Sequence, residues 1–292
     1  MFHSIKRRLI KSFTKLYDPN VELAIGNSTI KIPLSHDLRD IVRLYPEYNY
    51  NLARIVAHLN KRNALTKVID IGANIGDTVA FIKSMADVPI LCIDGEAKFV
   101  KLLRENTSSL ANVFVCESLV GAENKKVTLQ LKSDKGTAHL REGGNAVMMR
   151  TLDNILDEYT EFKTSNIIKT DTDGFDTIIL RSCEAFLQKN TPVIFMEFDP
   201  HLINRNRDDA FSFMEFLEKC GYKYFIFYTN IGDYMLSCSS SDKSILQEII
   251  HYFSGRKLEL FADLCAFAEK DKNDFEEITA NELIHFRKVR KY

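Results

Sequence analysis

Net charge is nearly absent from this chain. Across 292 residues, 39 Lys and Arg stand against 40 Asp and Glu, a net charge of -1. No global field draws such a chain to nucleic acid or to an anionic membrane, so nucleic acid is left out of the expected partners. Paired cysteine motifs are absent too. The six cysteines are Cys92, Cys116, Cys183, Cys220, Cys238 and Cys265, scattered with no C-x-x-C pair. That spacing argues against a zinc site. Most of the six lie inside apolar stretches, as small buried hydrophobes do, which favours a reducing compartment. No apolar run approaches the ~20 residues that a membrane span needs. The basic N-terminus lacks the unbroken apolar core and small-residue cleavage site of a signal peptide. A cytoplasmic location is the expectation. Tandem repeats and low-complexity segments are missing as well. The composition, 45% hydrophobic and 27% charged, is that of a globular chain.

What the chain does have is one organising stretch, Val68-Ile69-Asp70-Ile71-Gly72-Ala73-Asn74-Ile75-Gly76-Asp77-Thr78. An apolar run leads into a glycine-punctuated turn. An amphipathic segment, Val79 to Met85, follows with Val79, Ile82 and Met85 on one face. The order reads strand, tight loop, helix. Gly72 and Gly76 let the backbone turn sharply and approach a ligand. The helix then aims its first amides at the loop, where they bind a carboxylate or phosphate. A nucleotide-type ligand seated above a parallel strand is the functional reading. An ordinary βα turn with two glycines is the plain one.

Before this stretch, residues 1–18 place Ile5, Leu9, Ile10, Phe13 and Leu16 near helical spacing, with Lys6, Arg7, Arg8, Lys11 and Lys15 between them. Such a basic amphipathic helix either docks on the domain or lies on the inner face of a membrane as a peripheral contact. Val21 to Leu34 alternates around Gly26-Asn27, a hairpin pattern. Asn51 to Lys61 carries Leu52, Ile55, Val56 and Leu59 at helical spacing, a core-facing helix. Residues 1–60 therefore read as an N-terminal extension packed on, or arching over, a main domain of residues 61–292.

After the first unit the strand–helix rhythm repeats. Val88 to Ile93 ends in Asp94-Gly95-Glu96 and leads to a helix over Phe99 to Asn106. Val113 to Cys116 ends in Glu117-Ser118. Residues 121–150 break the rhythm, with Val127, Leu129 and Leu131 alternating and Gly136, Gly143 and Gly144 between turns. That is a β-rich insertion, too long for a simple connection, and such insertions often cover sites. Thr151 caps a helix through Tyr159. Asn166 to Thr170 is a fourth strand, ending in Asp171-Thr172-Asp173-Gly174, with a helix from Phe175 to Leu187. Pro192 to Met196 is a fifth, ending in Glu197-Phe198-Asp199-Pro200-His201. A helix over Ala210 to Cys220 stops at Gly221. Tyr222 to Tyr228 is a sixth strand, Ile245 to Phe253 a helix, and Leu264 to Ala268 the last strand. Strands alternating with helices mean α/β with a mostly parallel sheet.

Ligands of open α/β sheets bind beyond the carboxyl ends of the strands. Acids gather there: Asp70, Asp94, Glu117, Asp171 with Asp173, and Glu197 with Asp199. The loop G-A-N-I-G lacks the middle glycine that admits a pyrophosphate. Asp70 also repels a pyrophosphate and suits a cationic ligand instead. Asp94, at the end of the second strand, can accept both hydroxyls of a ribose. A ribose, an ammonium and a sulfonium together describe S-adenosyl-L-methionine.

The stretches V-I-D-I-G-A-N-I-G-D-T, D-G-E-A-K-F-V-K-L-L-R-E-N, T-L-D-N-I-L and I-I-K-T-D-T-D-G-F-D-T-I-I-L occur in the order and spacing of the FkbM-type methyltransferases. The chain resembles that family over roughly residues 60–230, with a looser fit to about 270. The resemblance implies an α/β, class I methyltransferase (Rossmann-like) fold. Its sheet would have seven mostly parallel strands with helices on both faces and a reversed hairpin at its end. It implies methyl transfer from S-adenosylmethionine, usually to a hydroxyl oxygen. By position, Asp70, Gly72, Asn74, Gly76, Asp77 and Thr78 match the cofactor loop, and Asp94 with Gly95 the ribose site. Glu117 and Ser118 close the third strand at the same crevice. Asp171, Asp173 and Gly174 match the motif after strand four. Two departures keep the acid: Asp94-Gly95 where the family often has Glu-Pro, and D-T-D-G where it often has D-x-E-G.

Methyl transfer needs an in-line arrangement and, for an alcohol, a place for its proton. The candidates are Asp171, Asp173, Glu197 and His201. Asp171-x-Asp173 also offers oxygen ligands to a divalent cation such as Mg2+. The alternative role for both is to cap the helix after Phe175. Lys169, inside strand four, is read as the partner of an acid. A small molecule or glycan precursor is the expected acceptor. Two other functions remain open on the sequence: a nicotinamide-dependent oxidoreductase, and a non-catalytic S-adenosylmethionine-binding partner.

Overall fold

Three strands of the chain, Val68–Ile71 (β3), Ile167–Thr170 (β9) and Val193–Phe198 (β10), are buried along their whole length. Strands buried on both faces belong in the middle of a sheet covered by helices on each side. The computed structural model places them there. It describes residues 14, 16–134, 137–254 and 261–290, and over 128–146 the backbone alone. Most of the expected 1–18 helix, and Gly136, lie outside the described residues.

An antiparallel hairpin of Asn20–Ile25 (β1) and Ser28–Pro33 (β2) opens the described chain. Two helices follow, Leu38–Leu44 (α1) and Tyr50–Arg62 (α2). The central sheet then begins. After β3 come Asp77–Lys83 (α3), Ile90–Asp94 (β4), Ala97–Thr107 (α4) and Val113–Glu117 (β5). Residues of the insertion form a separate three-stranded sheet from Leu119–Val120 (β6), Lys125–Asp134 (β7) and Thr137–Arg150 (β8). Leu152–Leu156 (α5) and a 3-10 turn over Thr160–Thr164 lead into β9. Asp176–Ser182 (α6) and Glu184–Asn190 (α7) precede β10, and Pro200–Arg205 (α8) and Ala210–Lys219 (α9) follow it. Tyr222–Thr229 (β11), Tyr234–Ser239 (β12), Lys243–Phe253 (α10), Ala262–Ala268 (β13) and Lys272–Arg290 (α11) complete the chain.

The large sheet has the order β12-β11-β13-β10-β9-β3-β4-β5. From β10 to β5 neighbouring strands are parallel, while β13 runs antiparallel between β10 and β11. The seven expected strands and the reversed hairpin are present, and the resulting arrangement is that of class I methyltransferases. An eighth strand, β12, was not expected; it pairs antiparallel with β11 at the edge.

Residues alternate between the faces of a strand, and here the alternation sorts two cores. Ile69, Ile71, Leu91, Ile168, Ile194 and Met196 pack with α5 to α10. Val68, Cys92, Ile167, Phe195 and Cys265 pack with α2, α3 and Ile278 of α11. The hairpin forms a third cluster, with Ile25, Ile30 and Ile32 against Phe81, Phe99 and Leu102. Helix α2 therefore shares its core with the sheet itself.

Some boundaries differ from the sequence reading. The helix expected over Phe175 to Leu187 is two, α6 and α7, breaking at Cys183. Helix α3 ends at Lys83, so Met85 leaves the apolar face and is 46% exposed. All six cysteines are free and buried. Among the described residues no helix is long and apolar enough to cross a membrane.

Candidate active site

The sheet's carboxyl edge breaks the apolar pattern of its strands. Asp70, Lys169, Glu197 and Asp263 share strand parity with Val68, Ile167, Phe195 and Cys265, so all four belong to the α2 face.

At the centre lies a buried ion pair. Asp70 and Lys169 are register partners on β3 and β9. Lys169 Nζ stands 3.0 Å from Asp70 Oδ1 and 3.6 Å from Asp171 Oδ2, and donates to the Gly72 carbonyl at 3.2 Å. Asp70 is fully buried. Its carboxylate thus meets a cation of this chain. Burial pushes Asp70 up while Lys169 draws it back, and its acid neighbours push Lys169 up against desolvation. The pair props the loop above it.

That loop turns through left-handed backbone at Gly72, Asn74 and Gly76. A Cβ on Gly72 would lie 2.0 Å from the Asp171 carbonyl oxygen, because the loops after β3 and β9 pass in contact. Asp94 holds the loop from the other side: its Oδ2 accepts the Asn74 N–H and its Oδ1 the Glu96 N–H, each at 2.8 Å. Gly95 allows close packing instead of a ligand's approach, since a Cβ there would meet Leu119 at 2.4 Å. Asp77 and Thr78 are buried in the first turn of α3, and Asn49 Nδ2 donates to Asp77 Oδ2 at 3.5 Å. Glu117 is exposed and sits 3.8 Å from Arg104, while Ser118 is buried and donates to the Leu119 carbonyl.

The acids after β9 divide. Asp171 is 54% exposed at its side chain. Asp173 has left-handed backbone and is partly buried. Helix α6 has Phe175 at its N-cap position, with no side-chain cap there. Asp176 orders this turn, accepting from Thr172 N–H at 3.1 Å and Gly174 N–H at 3.2 Å. Sequence reasoning passed over it. The divalent-cation site expected of Asp171 and Asp173 does not form: among the described residues no three His, Cys, Asp or Glu are arranged to hold a metal ion. Lys169 already supplies positive charge beside Asp171. Mg2+ therefore does not fit here.

Glu197 is only 7% exposed, and its Oε2 has no hydrogen-bond partner among the described residues. Asp263 lies opposite it in register on β13. His201 sits in the first turn of α8, where its backbone N–H and that of Leu202 are capped by Asp199. Among the described residues no hydrogen bond or ion pair joins its ring to the acid group.

Burial raises several of these carboxyls: Asp77 and Asp94 to about 6, and Asp173 to about 7 with help from Asp171 and Asp176. An acid raised by folding binds protons more readily in the native state, so stability falls as pH rises through this window. His36, lowered by burial below the ordinary histidine range, acts in the opposite sense, but it is one group against several. The thermal midpoint is expected to be several degrees higher at pH 5.5 than at pH 8. A midpoint that rises steadily to pH 8 would contradict these placements.

The model of the methyltransferase FkbM domain matches residues 70–224, from the Asp70 of the ion pair to Tyr224 of β11. This chain belongs to the FkbM methyltransferase family. Among solved structures, it is similar to the FkbM methyltransferase of Methylobacillus flagellatus, at 14% identity and a TM-score of 0.38 over 79% of this chain and 59% of that one. It is also similar to precorrin-6y C5,15-methyltransferase of Geobacter metallireducens, at 14% identity and a TM-score of 0.39 over 70% of this chain and 80% of that one. A third is M. jannaschii TYW2 in complex with AdoMet, at 12% identity and a TM-score of 0.43 over 86% and 87%. No curated protein matches the sequence. In this FkbM-family chain the matched segment contains the loop, Asp94, the Asp70–Lys169 pair and Glu197, and ends before Asp263.

Proposed function

We propose that this FkbM-family chain transfers the methyl group of S-adenosylmethionine to a hydroxyl oxygen of a sugar, glycan precursor or other hydroxylated small metabolite. The observation that carries the cofactor reading is Asp94. Its two oxygens each hold one backbone N–H at 2.8 Å, which fixes the carboxylate beside the glycine loop. A carboxylate oxygen has a second lone pair, so the ribose diol has acceptors ready on both. The site fits S-adenosylmethionine in a second respect. The acid below the loop, Asp70, is already neutralised by Lys169, so it does not itself repel the carboxyl group of an amino acid.

When bound, the cofactor supplies an activated methyl group. The chain's own residues supply position and proton transfer. Asp94 and the Gly72–Gly76 loop hold the nucleoside end. Asp171, Asp173 and Glu197 border the place where an acceptor hydroxyl must lose its proton. No metal is needed in this scheme, because carboxylates themselves take the proton.

Replacing Asp94 with alanine is expected to weaken S-adenosylmethionine binding about 10- to 100-fold, the loss of one or two hydrogen bonds to a charged group. Calorimetry measures it. Equal affinity in the parent and in Asp94→Ala would remove the basis of the cofactor reading.

A further inference from the structure

Glu197 and Asp263 are the least explained groups in the molecule. They face each other in register on antiparallel strands, on the same side of the sheet. Directly opposed side chains start from Cβ atoms about 5 Å apart. Among the described residues neither carboxyl has an ion-pair partner, and Glu197 Oε2 is buried with no hydrogen bond. Two unpaired carboxylates so placed cannot both ionise cheaply. Burial pushes both well above the usual carboxylate range, and Asp171 and Asp176 add to it. The remaining charged groups acting on them are Asp173 and Asp199 on Glu197, and Lys169 on Asp263.

A third group, Tyr48, feels the charge of these acids. Tyr48 lies in the connection between α1 and α2, and its phenol is pushed up by burial and by Asp77, Asp171, Asp263 and Glu197. Its ring packs edge-on against Phe81, with centroids 6.1 Å apart. The chain around it is pinned: Glu47 accepts from Arg54 at 2.8 Å and lies 2.7 Å from His285 of α11. A Cβ on Gly232 would lie 2.1 Å from the Glu47 carbonyl oxygen, so the β11–β12 turn presses on this segment.

We propose that Glu197 and Asp263 work as one carboxyl pair that receives the proton of an uncharged, sugar-type acceptor hydroxyl. This rests on the methyl-transfer reading. The acceptor oxygen's lone pair forms the new bond to the methyl carbon. The carbon–sulfur bond breaks, its electron pair going to sulfur, which becomes a neutral thioether. The hydroxyl proton passes to the ionised member of the pair. Hydroxyls donate to carboxylates, whereas a phosphate or carboxylate beside the reacting group meets repulsion from Asp171, Asp173 and Asp176.

The test uses the full chain, labelled S-adenosylmethionine, and a panel of methyl hexopyranosides with their 6-phosphates. Transfer is expected to at least one uncharged glycoside and to its phosphate at a rate at least tenfold lower. Glu197→Gln is expected to lose about 10²- to 10⁴-fold in kcat, the usual contribution of a general base, with S-adenosylmethionine affinity within twofold of the parent. Asp263→Asn, which removes the like charge, is expected to move the acidic limb of the kcat/KM profile down by more than one pH unit. An unmoved limb in Asp263→Asn, full activity in Glu197→Gln, or transfer only to phosphorylated members overturns the proposal. So does no transfer to any member when the parent binds the cofactor. A parent that does not bind S-adenosylmethionine instead overturns the methyl-transfer reading itself.

Discussion

Lys169→Met is expected to lower the thermal midpoint by on the order of 10 °C. The cause is Asp70. It is fully buried, and Lys169 at 3.0 Å is its ion-pair partner. Removing one partner of a buried pair leaves an uncompensated charge and costs about 3–5 kcal/mol. In a protein of this size each kcal/mol moves the midpoint by about 2–4 °C. Exposed pairs such as Arg104 with Glu117 are worth about 1 kcal/mol or less, so they serve as controls. Adding Asp70→Asn to Lys169→Met is expected to recover part of the loss, because the buried charge goes with its partner. Scanning calorimetry on the four members of this cycle measures the coupling. If the double variant is no better than Lys169→Met, the pair is not the source of the effect.

Gly72→Ala is expected to be comparably severe, for steric reasons. The residue has φ +78°, and a Cβ would sit 2.0 Å from the Asp171 carbonyl oxygen. Left-handed backbone costs a residue with a side chain about 1–2 kcal/mol, and overpacking adds about 1–3. The obstacle is backbone, and backbone here is tied: the Asp171 N–H donates to the Ile71 carbonyl at 3.0 Å. Relief therefore requires parting β3 from β9 under the cofactor loop. Gly221 provides the contrast. Its φ is +97°, but the nearest atom to a Cβ is Thr191 Cγ2 at 4.0 Å. Gly221→Ala is expected to cost only the backbone term, about 1–2 kcal/mol, and to leave S-adenosylmethionine affinity intact. Gly72→Ala is expected to reduce that affinity at least 100-fold in whatever protein folds. Similar behaviour of the two variants in calorimetry and melting would refute the close approach at Gly72.

The residues that escaped the sequence reading did so for identifiable reasons. Acids were sought at strand ends, which is where parallel strands reach the ligand edge. Strand β13 is reversed, so its beginning reaches that edge, and Asp263 lies at its second residue. The reversed hairpin implied by the family resemblance was the available signal. Asp176 looked like an ordinary first-turn acid; only the folded turn shows it accepting from Thr172 and Gly174. Helix α11 has just two buried residues, Ile278 and Glu282, so no apolar stripe announced it. It is joined to α2 by charge, through Arg54 to Glu282 at 2.6 Å and His58 to Asp274 at 3.1 Å. Those pairings join residues more than 200 positions apart, and no local pattern encodes them.

The alternation of strands and helices through the seven expected strands, the glycine loop, Asp94 after the second strand and the family itself were determined by the sequence alone. All of these are local: an apolar run, a turn residue or a motif of a dozen positions carries its own physical cause. The tertiary structure decided what the acids do. It buried Asp70 against Lys169, turned Asp171 toward water and set Glu197 opposite Asp263. Charge depends on burial and on neighbours, and both are set by which strands lie side by side.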